Sequence, residues 1–188
     1  VKIAKKPFYG RFMVPWRNPL TEAETQQWQV HRLARPSGGT LAVWTQEAQN
    51  HPAKGVIVLG HPMGKPAKAE FLKTGYAQTL VDAGFHVCIF DFNGFGESTM
   101  GSFYFHQDLL TVRDFIRALF PELPMGYHGI SFGTNWGIHA FTEADNPFEY
   151  VILESALTSL REFWVHYPAA NNALKIMLAF SPSGNTYQ

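Results

Sequence analysis

MGYHGISFGTNWG, Met125–Gly137, sets one serine, Ser131, between Gly129 and Gly133, with apolar or aromatic residues on both sides. The half before the serine reads as a strand, and Asn135–Thr142 continues with helical spacing. Two glycines let the chain turn within a residue or two, and Gly129–Gly133 fits the pattern G-x-S-x-G. Such a turn lifts the serine oxygen out of the sheet. It also puts the Phe132 N–H at a helix N-terminus, where partial positive charge favours an oxyanion. The pentapeptide alone also fits an ordinary glycine-rich bend, so its neighbours decide.

Working outward, GVIVLG (Gly55–Gly60) and HVCIFDF (His86–Phe92) read as buried strands, and EYVILES (Glu149–Ser155) as a third after the serine. Lys68–Ala83 has helical spacing and ends at Gly84. Phe105–Phe120 carries Leu109, Val112, Phe115, Ile116 and Leu119 on one stripe and closes at Pro121. Trp28–Gln46 alternates about Ser37-Gly38-Gly39, which predicts a β-hairpin. Strand and helix in alternation imply parallel strands with crossover helices. The expected fold class is α/β: a mostly parallel sheet with an N-terminal antiparallel hairpin and flanking helices. Residues 1–27 are expected to be an irregular lead-in and 28–160 the core. Residues 161–188 are expected to be a helical, lid-like or edge-covering segment with a loose tail. Open sheets of this kind place ligand chemistry at the carboxyl ends of their strands.

Two more loops stand at such ends. GHPMGK (Gly60–Lys65) turns sharply and leaves backbone N–H groups able to face a cleft; alone, it reads as a tight strand-to-loop turn. DFNGFGES (Asp91–Ser98) invites a dinucleotide reading, but Thr99 stands where the third glycine of G-x-G-x-x-G belongs. That reading is rejected, and Asp91 and Glu97 are expected to hold loop backbone. Three strand-end loops in this order favour a nucleophilic Ser131.

Composition removes other classes. Lysine plus arginine and aspartate plus glutamate each number 15, so no basic face for nucleic acid follows. The one cysteine, Cys88, lies in an apolar run, which fits a core thiol and a reducing, cytoplasmic compartment. No segment approaches the ~20 apolar residues of a membrane span, and the start does not read as a signal peptide. No metal-ligand spacing and no cofactor motif appear, so neither is expected.

With GHPMG, DFNGFGES, GISFG and VILESALTSL in this order, the chain resembles the α/β-hydrolase superfamily, especially serine esterases and peptidase-like members, over roughly Trp28–Leu160. The resemblance implies that Ser131 is the nucleophile and that GHPMG is the oxyanion loop, with Pro62 replacing the family's usual glycine. It implies that Met63 and Phe132 supply the two oxyanion N–H groups. It makes Glu154, at the end of VIL, the one candidate acid, in a position where many relatives carry a structural glutamate. The implied substrate is a small-molecule ester, thioester or amide, and the aromatic residues Phe92, Phe95, Phe103, Tyr104, Phe105, Phe132, Trp136 and Trp164 would suit an apolar acyl pocket or simply the core.

The pattern breaks at the base. Relatives carry the order Ser, acid, His, and residues 132–188 contain only His139 and His166. His139 falls about two turns along the helix after Ser131, and His166 lies in FWVHYP. His128 is expected to pack beside a strand end, and Asp145 to sit at the opposite end of the sheet. The sheet is therefore expected to be C-terminally incomplete, the chain, which begins at Val1, to be part of a longer enzyme, and YVILES to be an exposed edge through which copies could pair. Two functions stay open: a serine hydrolase, and a non-catalytic module or truncated hydrolase of the same fold.

Overall fold

The computed structural model describes residues 2–49, 52–142, 148–157 and 159–179. Its elements run α1 (Lys2–Tyr9), α2 (Glu22–Thr25), β1 (Gln29–Ala34), β2 (Thr40–Gln46), β3 (Val56–Gly60), α3 (Ala69–Lys73) and α4 (Tyr76–Asp82). They continue with β4 (His86–Phe90), α5 (Phe105–Leu119), β5 (Met125–Ile130), α6 (Phe132–Phe141), β6 (Tyr150–Glu154), α7 (Leu160–Val165) and α8 (Pro168–Ala179). The six strands form one sheet in the order β1-β2-β4-β3-β5-β6. β1 and β2 pair antiparallel, as do β2 and β4, and every later pairing is parallel. The expected mixed sheet with its hairpin is thus present.

The register follows from burial. β3, β4 and β5 occupy the middle, and apart from His86 and His128 their side chains are largely apolar on both faces, as parallel strands covered by helices require. One core packs Val58, Phe90, Phe92 and Tyr127 against Leu109, Val112 and Ile116 of α5. On the other face, Leu59, Val87 and Ile89 meet Phe71, Ala77 and Val81. Pairing Gly60 of β3 with Gly129 of β5 brings the loops after these strands together. That register places the site.

Four expectations need correction. The single helix over 68–83 is two, because Gly75 takes φ +75°, a left-handed turn that ends α3 and starts α4. The lead-in is partly helical: Pro7 and the short length argue against α1, but Phe8 and Tyr9 bury against Trp164, Phe103 and Phe105, and tertiary packing wins. Leu119 leaves the α5 stripe and is 40% exposed, while the buried Asp108 joins that face. Of the two alternatives for residues 161–188, lid-like or edge-covering, covering of β6 is not seen among the described residues. α7 and α8 pack on each other and α8 on α1, and all five residues of β6 are exposed, Tyr150 by 66% and Ile152 by 60%. The loose tail (181–188) and Asp145 lie outside the described residues.

Candidate active site

Ser131 sits between β5 and α6 with φ +50° and ψ −101°. A serine held in so sparsely populated a conformation marks a site where the surroundings impose the backbone, a frequent property of functional turns. Those surroundings are visible. Ser131 N–H donates to Glu154 C=O at 2.8 Å, and Asn135 N–H donates to Ser131 C=O at 3.1 Å. The Thr134 hydroxyl lies 2.6 Å from the carbonyl oxygens of both Gly129 and Glu154. The buried Tyr127 hydroxyl donates to Gly133 C=O at 2.7 Å. The glycines are required by close approach: a Cβ on Gly129 would lie 2.8 Å from Gly133 C and Thr134 N.

Met63, Ser131 and Phe132 line one small apolar cavity together with Asn135, Leu157, Phe163 and Trp164. Its volume is about 10 Å³, close to the room one water needs. Among the described residues, neither Met63 N–H nor Phe132 N–H donates to a protein acceptor. Two such donors beside a serine are what developing negative charge on a carbonyl oxygen would need. Of the eight aromatic residues considered for an acyl pocket, only Phe132 and Trp164 line this cavity; Phe92, Phe95 and Phe105 are core, and Tyr104 is exposed.

The loop after β3 is fixed by charge as well as by packing. Lys68, fully buried, places Nζ 2.6 Å from both Asp91 Oδ2 and Glu97 Oε2, while Lys68 N–H donates to Asp91 Oδ1 at 2.9 Å. Asp91 also accepts Glu97 N–H, and its carbonyl accepts the Ser98 hydroxyl at 2.6 Å. A buried ion pair this well hydrogen-bonded specifies one arrangement of two loops rather than adding much stability. Asp91 holds loop backbone as expected, whereas the Glu97 carboxylate holds the side chains of Lys68 and Arg32 instead. Their shared partner Lys68 was not legible, because a lysine in PAKAE reads as a solvated charge.

Glu154 does not approach Ser131 through its carboxylate. Oε2 stands 3.1 Å from His128 Nε2 and accepts the Tyr76 hydroxyl at 3.3 Å, and the His128 ring packs on Tyr76. His139 and His166 are both exposed, the former against Trp136 and the latter ending α7. Among the described residues no imidazole hydrogen-bonds to Ser131 Oγ. Nor do three or more His, Cys, Asp or Glu side chains gather as a metal site there. Cys88 is fully buried, and burial pushes its thiol up, far from reactivity. No helix among the described residues is long and apolar enough to cross a membrane.

Comparison with known proteins bears on the family and the fold. The chain is 34% identical over 144 residues to lysophosphatidylserine lipase ABHD12 of Gallus gallus, covering 69% of this chain and 35% of that protein. It is 30% identical over 135 residues to the Rattus norvegicus protein of the same name, covering 66% of this chain and 32% of that one. The chain therefore spans about a third of the length of these relatives. Among solved structures, the Pyrococcus furiosus esterase Pf2001 superposes with a TM-score of 0.66 at 16% identity, covering 86% of this chain and 66% of that one. XC6422 of Xanthomonas campestris, described as an a/b serine hydrolase without lid, gives 0.54 at 23% identity over 66% and 59% of the two chains. The family described as serine aminopeptidase, S33, matches residues 51–185. With that match and this sheet order, the chain belongs to the serine aminopeptidase S33 family of α/β-hydrolases.

Proposed function

We propose that this chain carries the nucleophile and oxyanion hole of a serine hydrolase acting on small-molecule acyl esters, with thioesters and amides as chemically related substrates. The observation that carries the reading is Ser131 on its left-handed turn at the β5–α6 junction, sharing a cavity with Met63 and Phe132. Ser131 Oγ attacks the acyl carbonyl carbon, and its proton passes to a histidine from outside the three strand-end loops. Negative charge gathers on the carbonyl oxygen, where Met63 N–H and Phe132 N–H hold it. Collapse breaks the bond to the leaving oxygen, which takes the proton from the histidine, and water then hydrolyses the acyl-serine. The names of the relatives, lipases and esterases, favour esters. Glu154 is the candidate acid by its position at the end of β6, and its hold on His128 and Tyr76 is the competing role. The single buried Cys88 supports a reducing compartment such as the cytoplasm.

A p-nitrophenyl acyl ester tests the reaction. The reading expects nitrophenolate release with an acyl adduct on the peptide containing Ser131, both absent from Ser131→Ala. Release that persists unchanged in Ser131→Ala contradicts it. A folded chain with neither release nor adduct supports the non-catalytic module or truncated hydrolase instead.

A further inference from the structure

We infer that His61 is a positioning residue, whose buried ring sets the peptide between Pro62 and Met63 so that Met63 N–H faces Ser131. The inference rests on the oxyanion-hole reading above and adds what builds that hole. His61 is fully buried. Phe92 N–H donates to its Nε2 at 3.1 Å, so that nitrogen is an acceptor. A neutral imidazole with Nε2 accepting carries its proton on Nδ1, and Nδ1 lies 2.7 Å from Pro62 C=O, which accepts it.

The peptide joining Pro62 to Met63 is planar, and in its trans form C=O and N–H point in opposite directions. A ring that holds Pro62 C=O therefore turns Met63 N–H away from itself, and Met63 lines the cavity with Ser131. Pro62 restricts the loop further through its fixed φ. It stands where the resemblance leads one to expect glycine, so the departure stiffens the loop. The same residue reaches the second donor. His61 C=O accepts Gly133 N–H at 3.1 Å, one residue beyond Phe132. Its ring stacks on Phe132 with centroids 6.4 Å apart at 20°, between Phe92 and Phe95. One side chain and its backbone thus tie the loops after β3, β4 and β5 together.

Protonation would undo this, because Nε2 would then present a hydrogen to the Phe92 N–H. Burial opposes that by holding the ring below the ordinary histidine range, although the Asp91 carboxylate pulls the other way and Lys68 opposes protonation.

The test compares His61→Phe and His61→Asn with wild type and Ser131→Ala, using a fluorophosphonate as the probe and the melting midpoint as a check on folding. Phenylalanine fills the aromatic pocket but cannot hold Pro62 C=O. Asparagine places an amide N–H near the Nδ1 position and restores that hydrogen bond. The expected result is a labelling rate at least about 100-fold lower in His61→Phe, the size of losing an oxyanion donor, with His61→Asn recovering at least about 10-fold of that loss. Equal rates in wild type and folded His61→Phe overturn the proposal, as does His61→Asn labelling no faster than His61→Phe. If wild type labels no better than Ser131→Ala, the Ser131 reading fails instead. Ring nitrogen shifts in ¹⁵N-labelled protein then test His61 without catalysis. Nδ1–H with an unprotonated Nε2 near neutral pH supports the proposal, and Nε2–H overturns it.

Discussion

Gly133→Ala tests whether the contact between two strand-end loops builds the site. Gly133 faces the end of β3. An added Cβ would lie 2.5 Å from Gly60 C, 3.0 Å from Gly60 Cα and closer still to the Gly60 carbonyl oxygen. Carbon atoms in good contact stand about 3.5–4.0 Å apart, so β3 and α6 must separate by about 1 Å. All three obstacles are backbone atoms, and no rotamer relieves them. Overpacking of this kind costs about 1–3 kcal/mol, and stretching the Gly133 N–H···O=C His61 bond, now 3.1 Å, adds roughly 1 kcal/mol. A total of about 2–4 kcal/mol lowers the urea midpoint by roughly 1–2 M. Because Phe132 N–H moves with α6 away from Met63 N–H, serine labelling of the folded fraction falls by about 100-fold. An unchanged urea midpoint would refute the reasoning, since it would mean that the loops do not approach as described.

Lys5 is buried against Asn93, Asp108 and Arg35, and burial lowers its pKa from 10.5 to about 7, while burial raises that of Asp108 from 3.8 to about 6. Between pH 7 and about 9 the unfolded chain binds more protons at Lys5, so stability rises with pH there by up to about 1.4 kcal/mol per unit, and above about 9 the native chain keeps the buried Cys88 proton that the unfolded chain loses, which opposes the rise; between pH 3.8 and 6 the native chain binds more at Asp108, so stability falls as pH rises. Urea midpoints across pH should show the alkaline rise in wild type and lose it in Lys5→Met, and the same rise in both would exclude Lys5 as its source. Glu154→Gln separates its two roles: as the acid it reduces ester turnover by at least about 100-fold with little change in melting, whereas as a brace for His128 and Tyr76 it lowers melting and spares turnover per folded molecule. Because β6 exposes Ile152 on a sheet edge, sedimentation should show concentration-dependent association that Ile152→Lys reduces, and a wild type monomeric at all concentrations would contradict edge pairing.

The sheet was legible because its central strands are continuous apolar runs and its turns carry glycine, as in Val56–Gly60 and Gly38-Gly39. The turn at Ser131 was legible for the same reason, since it has a short-range glycine signature. What escaped the sequence were effects of residues far apart in it. α1 forms because Phe8 and Tyr9 find Trp164 some 150 residues away, and local propensity carries no trace of that contact. Lys68 and Asp91 bury each other through tertiary structure alone. His61 was visible only as the second residue of the turn motif GHPMGK, and its ring contacts depend on the β3–β4 register. Glu154 was located correctly at the end of β6, but the partners of its carboxylate come from α4 and β5.

The most direct measurement is mass spectrometry of the folded chain after fluorophosphonate treatment, with the modified peptide sequenced. A nucleophilic Ser131 predicts one adduct per chain, mapped to Ser131 and prevented by prior acylation with an ester substrate. An adduct on another serine, with Ser131 unmodified on protein that melts cooperatively, would contradict the assignment of Ser131 as the nucleophile.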